Sequence, residues 1–173
     1  MGAMIKTIVA VDKDWVIGNK SINGLLWKKP DDLKNFQYLT TSHIVVMGYN
    51  TFKSLKFKPL KNRTNIVLYN GEIPEKIKYR MDIDCYNIDK FDICKFADKF
   101  DNNKIIWVIG GKSIYERFIN YSDAIHLTHL NESYGLNDGK DLIFPEIDNS
   151  IYKISFIANH KSFNYKIYTK IGN

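Results

Sequence analysis

The stretch IIWVIGGKSIYERF, residues 105–118, sets the fold class. Its apolar run ends in two glycines and passes into a helical pattern that puts Ile114, Tyr115, Phe118 and the following Ile119 on one face. An unbroken apolar run of this kind fits a strand covered on both faces, as in a parallel sheet. Glycines at its end let another group approach the backbone closely, and amides at a helix start suit a phosphate. The pair lacks GxGxxG spacing, and alone it reads equally as a tight strand-to-helix turn. A second unit of the same kind, HIVVMGYNTFKSL (residues 43–55), places Gly48 after a strand and Asn50, Thr51 and Ser54 around a helix start. Two such turns at the carboxyl ends of parallel strands suit the two halves of a dinucleotide.

Working outward, short β-rich runs alternate with helical patterns, so the class is α/β with a mostly parallel sheet. Strands are expected at 5–11, 43–47, 65–69, 84–86, 105–109 and 124–130, and helices near 30–40, 89–100 and 112–120. After FPEID, the runs ISFIAN and YKIYTKI, joined by a polar segment, predict a closing antiparallel hairpin. The irregular stretch 18–29 is long for a connection between strand and helix, and such loops are usually functional or mobile.

Composition sets the outer bounds. The chain has 173 residues, 45% hydrophobic and 14% aromatic, which suits one domain with a sizeable core. That domain is expected to run from residue 4, with Met1, Gly2 and Ala3 an expression scar ahead of Met4. The longest apolar run, IIWVI, is too short for a bilayer, and the N-terminus has no signal-peptide pattern, so an intracellular, cytoplasmic protein is expected. The net charge of +6 comes from scattered lysines without a basic stripe, which argues against nucleic acid. Cys85 and Cys94 fit no metal or redox spacing and read as packing residues. His126 and His129, three apart in a strand, point to opposite faces and cannot chelate one metal, so no metal site is expected. No nucleophile elbow, P-loop or zincin motif is present.

The segment NGLLWKKPDDLKNF, residues 23–36, carries two adjacent carboxylates. Pro30 suits the first helical position, and Asp31 and Asp32 then occupy the first turn, where the helix dipole favours negative charge. Helical spacing separates their surroundings: Asp31 shares a face with Lys34, Asn35 and Tyr38, whereas Asp32 shares one with Phe36 and Leu39. Asp31 faces water. A carboxylate on the apolar edge needs a hydrogen-bond partner, and burial raises its pKa, so Asp32 reads equally as a capping group and as a group able to hold a proton near neutral pH.

Trp27 and PDDL with Phe36, then VVMGYNTFKSL, VIGGKSIYERF, LTHL and FPEI follow an order and spacing that resemble dihydrofolate reductase of the single-domain bacterial type, from Met4 onward. The resemblance implies an eight-stranded, mostly parallel sheet with about four flanking helices. It implies NADPH as hydride donor and reduction of 7,8-dihydrofolate to 5,6,7,8-tetrahydrofolate. Asp32 would hydrogen-bond the pterin and favour protonation of N5 through water, ahead of hydride arrival at C6. Trp27 would hold that water, and loop 18–29, with Leu25 facing the nicotinamide, would be a lid. Leu33, Phe36 and Leu55 match walls for the pterin and aminobenzoyl rings. Val9, Val11, Ile109 and Thr128 match pterin-site positions, and Arg63 matches a clamp on the substrate's α-carboxylate. Cofactor contacts would come from Ala10, Ile17, Gly48, Tyr49, Asn50, Thr51, Ser54, Leu68, Asn70, Ile109, Gly110, Gly111, Lys112, Ser113, Ile114 and Tyr115.

Three positions depart from the family pattern. Leu26 replaces the proline usual before the loop tryptophan, and Lys112 follows Gly111 where a third glycine is common. Tyr49 stands where an arginine often pairs with the 2′-phosphate of NADPH, which leaves NADH open beside NADPH. The implied partners are dihydrofolate and, as inhibitors, diaminopyrimidine and pteridine antifolates, acting on a monomer. Two other readings stand beside it: a pyrimidine or pteridine reductase of the riboflavin-pathway type, which shares the fold and the Gly-Gly turn, and a non-catalytic nucleotide-binding module, in which Asp32 is only a cap. Trp27, Asp32 and Arg63 weigh against the first.

Overall fold

A computed structural model describes residues 2–172. In chain order the strands are β1 (Met4–Val11), β2 (Val16–Asn19), β3 (Ile44–Gly48), β4 (Thr64–Tyr69), β5 (Asp84–Asn87), β6 (Ile105–Val108), β7 (Ala124–Leu130), β8 (Asp141–Ile143), β9 (Tyr152–Asn159) and β10 (Phe163–Lys170). The helices are α1 (Pro30–Thr40), α2 (Tyr49–Ser54), α3 (Glu75–Lys78), α4 (Ile93–Ala97) and α5 (Lys112–Phe118). Eight strands form one sheet in the order β5-β4-β3-β6-β1-β7-β10-β9. Only β10 runs against the rest, because it pairs antiparallel with both β7 and β9.

Alternation along the central strands explains why helices cover both faces. Val45 and Met47 of β3, with Val67 and Trp107, pack on one side together with Phe52 of α2 and the half-buried Phe36 and Leu39 of α1. Val46, with Ile66, Leu68, Ile106 and Val108, packs on the other against Ile93 and Phe96 of α4 and Ile114 and Phe118 of α5. Strands apolar on both faces need two helical layers to bury them.

Several elements differ from the sequence expectation. The helix expected over 89–100 divides into a 3₁₀ turn (Ile88–Lys90) and the short α4. The break comes at Asp92, whose carboxylate accepts the amides of Cys94 and Lys95 at 3.0 Å and so starts a new helix. Loop 18–29 begins as strand: Gly18 and Asn19 belong to β2, which pairs with β8 in a separate two-stranded sheet. The four-residue helix α3 brings the helices to five. Cys94 is exposed, so of the two cysteines only half-buried Cys85 has a packing role. Ala3 is buried, and its amide donates to the Ala97 carbonyl at 3.0 Å.

Asp12, fully buried, ties β1 to two loops. Its Oδ1 accepts the amides of Asp14 and Val16 at 2.8 and 2.9 Å, and its Oδ2 those of Tyr134 and Gly135 at 2.7 and 3.0 Å. Four amide donors satisfy a carboxylate that would otherwise be costly to bury.

Candidate active site

The two glycine turns lie side by side because β3 and β6 are neighbours in the sheet. The Gly48 amide donates to the Gly110 carbonyl at 2.8 Å, and the Ile109 amide to the Val46 carbonyl at 2.9 Å. The Gly110–Gly111 peptide bond is cis, and Gly110 has φ +107°. A Cβ on Gly110 would lie 2.9 Å from the Tyr115 ring, and one on Gly48 would lie 3.0 Å from Ile114. Side chains at these positions would force the Tyr115 ring and Ile114 to move, so glycine preserves the packing of the two turns.

A cleft of about 1040 Å³ opens at these turns. It is lined by Ala10, Ile17, Gly48, Tyr49, Asn50, Thr51, Ser54, Leu68, Asn70, Ile109, Gly111, Lys112, Ser113, Ile114 and Tyr115. These are the cofactor positions expected from the sequence, save Gly110, which is not part of the lining. Val9 and Leu25 also line the cleft. So do Lys20, Ser21, Ile22, Asn23 and Gly24 of the loop, and Tyr69, Pro74, Ile88, Glu116 and Leu142, which the sequence reading did not single out. The loop residues belong to the irregular stretch 18–29, but Leu142 enters through the β2–β8 pairing, which no periodicity signals.

Beside the cleft, the sheet presents a row of side chains on one face. Ala10 of β1, Thr128 of β7 and Tyr165 of β10 are register partners. The Thr128 hydroxyl donates to Asp32 Oδ1 at 2.6 Å, which fixes the carboxyl of α1 over this row. Burial pushes the Asp32 carboxyl above its usual range, and the Thr128 hydrogen bond opposes the shift without cancelling it. Burial, with the Asp32 charge second, also pushes up the Tyr115 phenol, whose hydroxyl donates to the Ile8 carbonyl at 2.9 Å. Asp31 is exposed, with only a 4.0 Å approach to Lys34. The two aspartates therefore have the separate environments that helical spacing predicts.

Trp27 is buried against Leu130 and Phe163, with half-buried Ala10 in the same cluster. Its indole Nε1 has no hydrogen-bond partner among the described residues. Tyr165 meets His126 Nδ1 through its hydroxyl, and burial, with Lys6 second, holds the His126 imidazole down at about 4, so it is neutral near pH 7. His129 lies against Trp15 instead, on the opposite face.

Phe36, Leu55 and Ile109 share one apolar cluster under α1 and α2. Arg63 lies over the Phe36 ring at 5.9 Å, with Nε donating to the Lys61 carbonyl and Nη1 to the Thr40 hydroxyl, both at 2.9 Å. Two of its five N–H groups are thereby engaged, and the others remain for an acceptor. Leu33 is about half exposed at the open side. Val11 is an exception: it is fully buried in the core, so its role is to pack the end of β1.

Dihydrofolate reductase is the description of the family model that matches residues 4–170. The chain belongs to the dihydrofolate reductase family. It is 32% identical to the dihydrofolate reductase of Bacillus subtilis over 151 residues, 87% of this chain and 81% of that one. It is 34% identical to the type 9 dihydrofolate reductase of Escherichia coli over 87% of this chain and 80% of the other. Among solved structures, dihydrofolate reductase from Enterococcus faecalis complexed with NADP(H) and RAB-propyl superposes with a TM-score of 0.79 at 26% identity, covering 97% of this chain and 96% of that one. As a dihydrofolate reductase the chain is an NADPH-dependent oxidoreductase that converts dihydrofolate to tetrahydrofolate. This removes the riboflavin-type reductase and the non-catalytic module as readings of the fold. Among the described residues, no helix is long and apolar enough to cross a membrane.

Proposed function

We propose that the cleft and the row beside it divide the reaction between them. The glycine turns, with Thr51, Ser113 and Lys112, hold the dinucleotide, and the pterin sits between Asp32 and the nicotinamide end of the cleft. The fit is supported by the glycine turns, where a Cβ on Gly48 or Gly110 would crowd neighbouring side chains. NADPH, when bound, supplies the hydride that C6 of dihydrofolate accepts.

The observation that carries the reading is Asp32, a carboxyl pushed toward its protonated form by burial and fixed by Thr128. From there it hydrogen-bonds the pterin edge and favours protonation of N5 through water, so the imine is protonated before hydride arrives. Trp27, with its free indole N–H, holds a water that carries the proton. Phe36, Leu55 and Ile109 wall the ring system, with Leu33 and Val9 at its edges and Thr128 orienting Asp32. The free N–H groups of Arg63 clamp the α-carboxylate of the glutamyl tail. Loop 20–29 with Leu25 closes over the nicotinamide and keeps water from the hydride path. Diaminopyrimidine and pteridine antifolates, protonated on the ring, pair with the ionised Asp32 in the same place. The domain spans residues 4–173 and acts as a monomer in the cytoplasm.

The test is single-turnover oxidation of NADPH by dihydrofolate in Asp32→Asn. A loss of about 100-fold or more with cofactor binding kept supports the role. A rate equal to wild type takes Asp32 out of the mechanism.

A further inference from the structure

The two ends of the cleft are distinguishable by their place in the sheet, given the proposed function on which this inference rests. Ala10 of β1 and Tyr115, whose hydroxyl meets the Ile8 carbonyl of the same strand, line the end nearest Asp32. That is where a hydride donor must meet the substrate. Tyr49, Lys53, Leu68, Tyr69, Asn70 and Ile88 line the other end, over β3 and β4. The adenosine half of the cofactor therefore lies there. NADPH differs from NADH only by the 2′-phosphate on that ribose, a dianion that needs cationic donors.

Tyr49 supplies no charge, and its half-buried ring packs on Phe57 at 5.9 Å between centroids. Asn50 and Asn70 are exposed and uncharged. The cations lining the cleft are Lys20, Lys53 and Lys112. Lys20 directly follows β2, which pairs with β8 in the separate two-stranded sheet and with neither β3 nor β4. Lys112 starts α5 over the middle of the cleft, and its Nζ lies 3.7 Å from Glu116, which partly offsets its charge. Lys53 is on α2, one helical turn after Tyr49, so it projects from the same face. It is exposed and has no ion pair among the described residues. The adjoining Ser54 hydroxyl is engaged by the Thr51 carbonyl at 2.6 Å.

We infer that Lys53 supplies the cation for the 2′-phosphate and thereby sets the preference for NADPH over NADH in this chain. An ammonium on a flexible stem, with three donors, accommodates a phosphate without the fixed fork of an arginine. Outside the cleft a further competing cation is Lys90, which lines a neighbouring hollow of about 630 Å³ that meets the cleft at Tyr69. Lys78 lines the same hollow but is bound to Glu75 at 3.1 Å.

Equilibrium titration by tryptophan fluorescence tests this without turnover. NADPH, NADH and adenosine 2′,5′-bisphosphate are added to wild type, Lys53→Gln, Lys53→Arg, Lys90→Gln and Lys112→Gln, each checked for folding by circular dichroism. Lys53→Gln is expected to raise the Kd for NADPH and for the bisphosphate about tenfold and that for NADH less than twofold, with Lys53→Arg keeping the preference. Equal changes for both dinucleotides, no change in Lys53→Gln, or loss of preference in Lys90→Gln or Lys112→Gln in its place overturns the assignment to Lys53. Binding of neither dinucleotide by wild type overturns the proposed function as well.

Discussion

At the scale of single residues, Asp32 and Arg63 carry the sharpest expectations. The carboxyl of Asp32 is raised by burial, so its ionisation is harder in the folded chain than in the unfolded one. Its contribution to stability is fully present below the unfolded carboxylate value and is lost as pH rises through the raised folded value. Asp32→Asn is therefore expected to raise Tm at pH 7, with the gain shrinking toward zero below about pH 4, as thermal unfolding across pH would show. Activity has the same origin and the same sign: wild-type turnover falls as pH climbs past the Asp32 value, and the Asn variant loses that titration step. For Arg63→Gln, the KM for dihydrofolate is expected to rise about 10-fold to 100-fold, while that for dihydropteroate, which lacks the glutamyl carboxylate, changes little. Equal effects on the two substrates would mean that Arg63 acts through Thr40 and α1 alone.

At the scale of elements, the turns matter more than the strands they join. Gly110→Ala meets two obstacles at once, a φ of +107° and the Tyr115 ring 2.9 Å from the new Cβ. A loss of about 2 kcal/mol or more in denaturant unfolding is expected. Asp12→Ala leaves four amides without their acceptor, that of Val16 fully buried and the other three partly so. Unfolding is expected to become easier by about 2–3 kcal/mol, and hydrogen exchange at the Val16, Tyr134 and Gly135 amides to quicken first. Protection unchanged at those three amides would show that other contacts hold the loops. Helix α1 was legible to the residue because a proline, two acids and an apolar stripe agree on its start and face. The 89–100 region was not: Asp92 serves as a cap only once its carboxylate turns onto its own following amides, and a polar residue inside an apolar period looks the same either way.

At the scale of the whole molecule, the sheet has an edge to manage. Strand β9 leaves Ile154, Phe156 and Ile157 about half exposed on an open edge. Exposed apolar edges template association. Sedimentation is expected to find a monomer at micromolar concentration with association on concentrating, and Ile157→Lys to suppress the association without altering turnover. The chain sequence by itself determined the α/β class, the two glycine turns, the closing hairpin and the split between Asp31 and Asp32, because each rests on short-range period or on steric limits of nearby residues. Its resemblance to dihydrofolate reductase brought in the cofactor positions. Only the tertiary structure decided that Gly48 and Gly110 hydrogen-bond to each other, that Thr128 anchors Asp32 from 96 residues away, that β2 pairs with β8, and that Val11 is sealed in the core. Those facts depend on which strands become neighbours. That choice is made by burying both faces of one sheet at once, a condition that no local stretch of sequence contains.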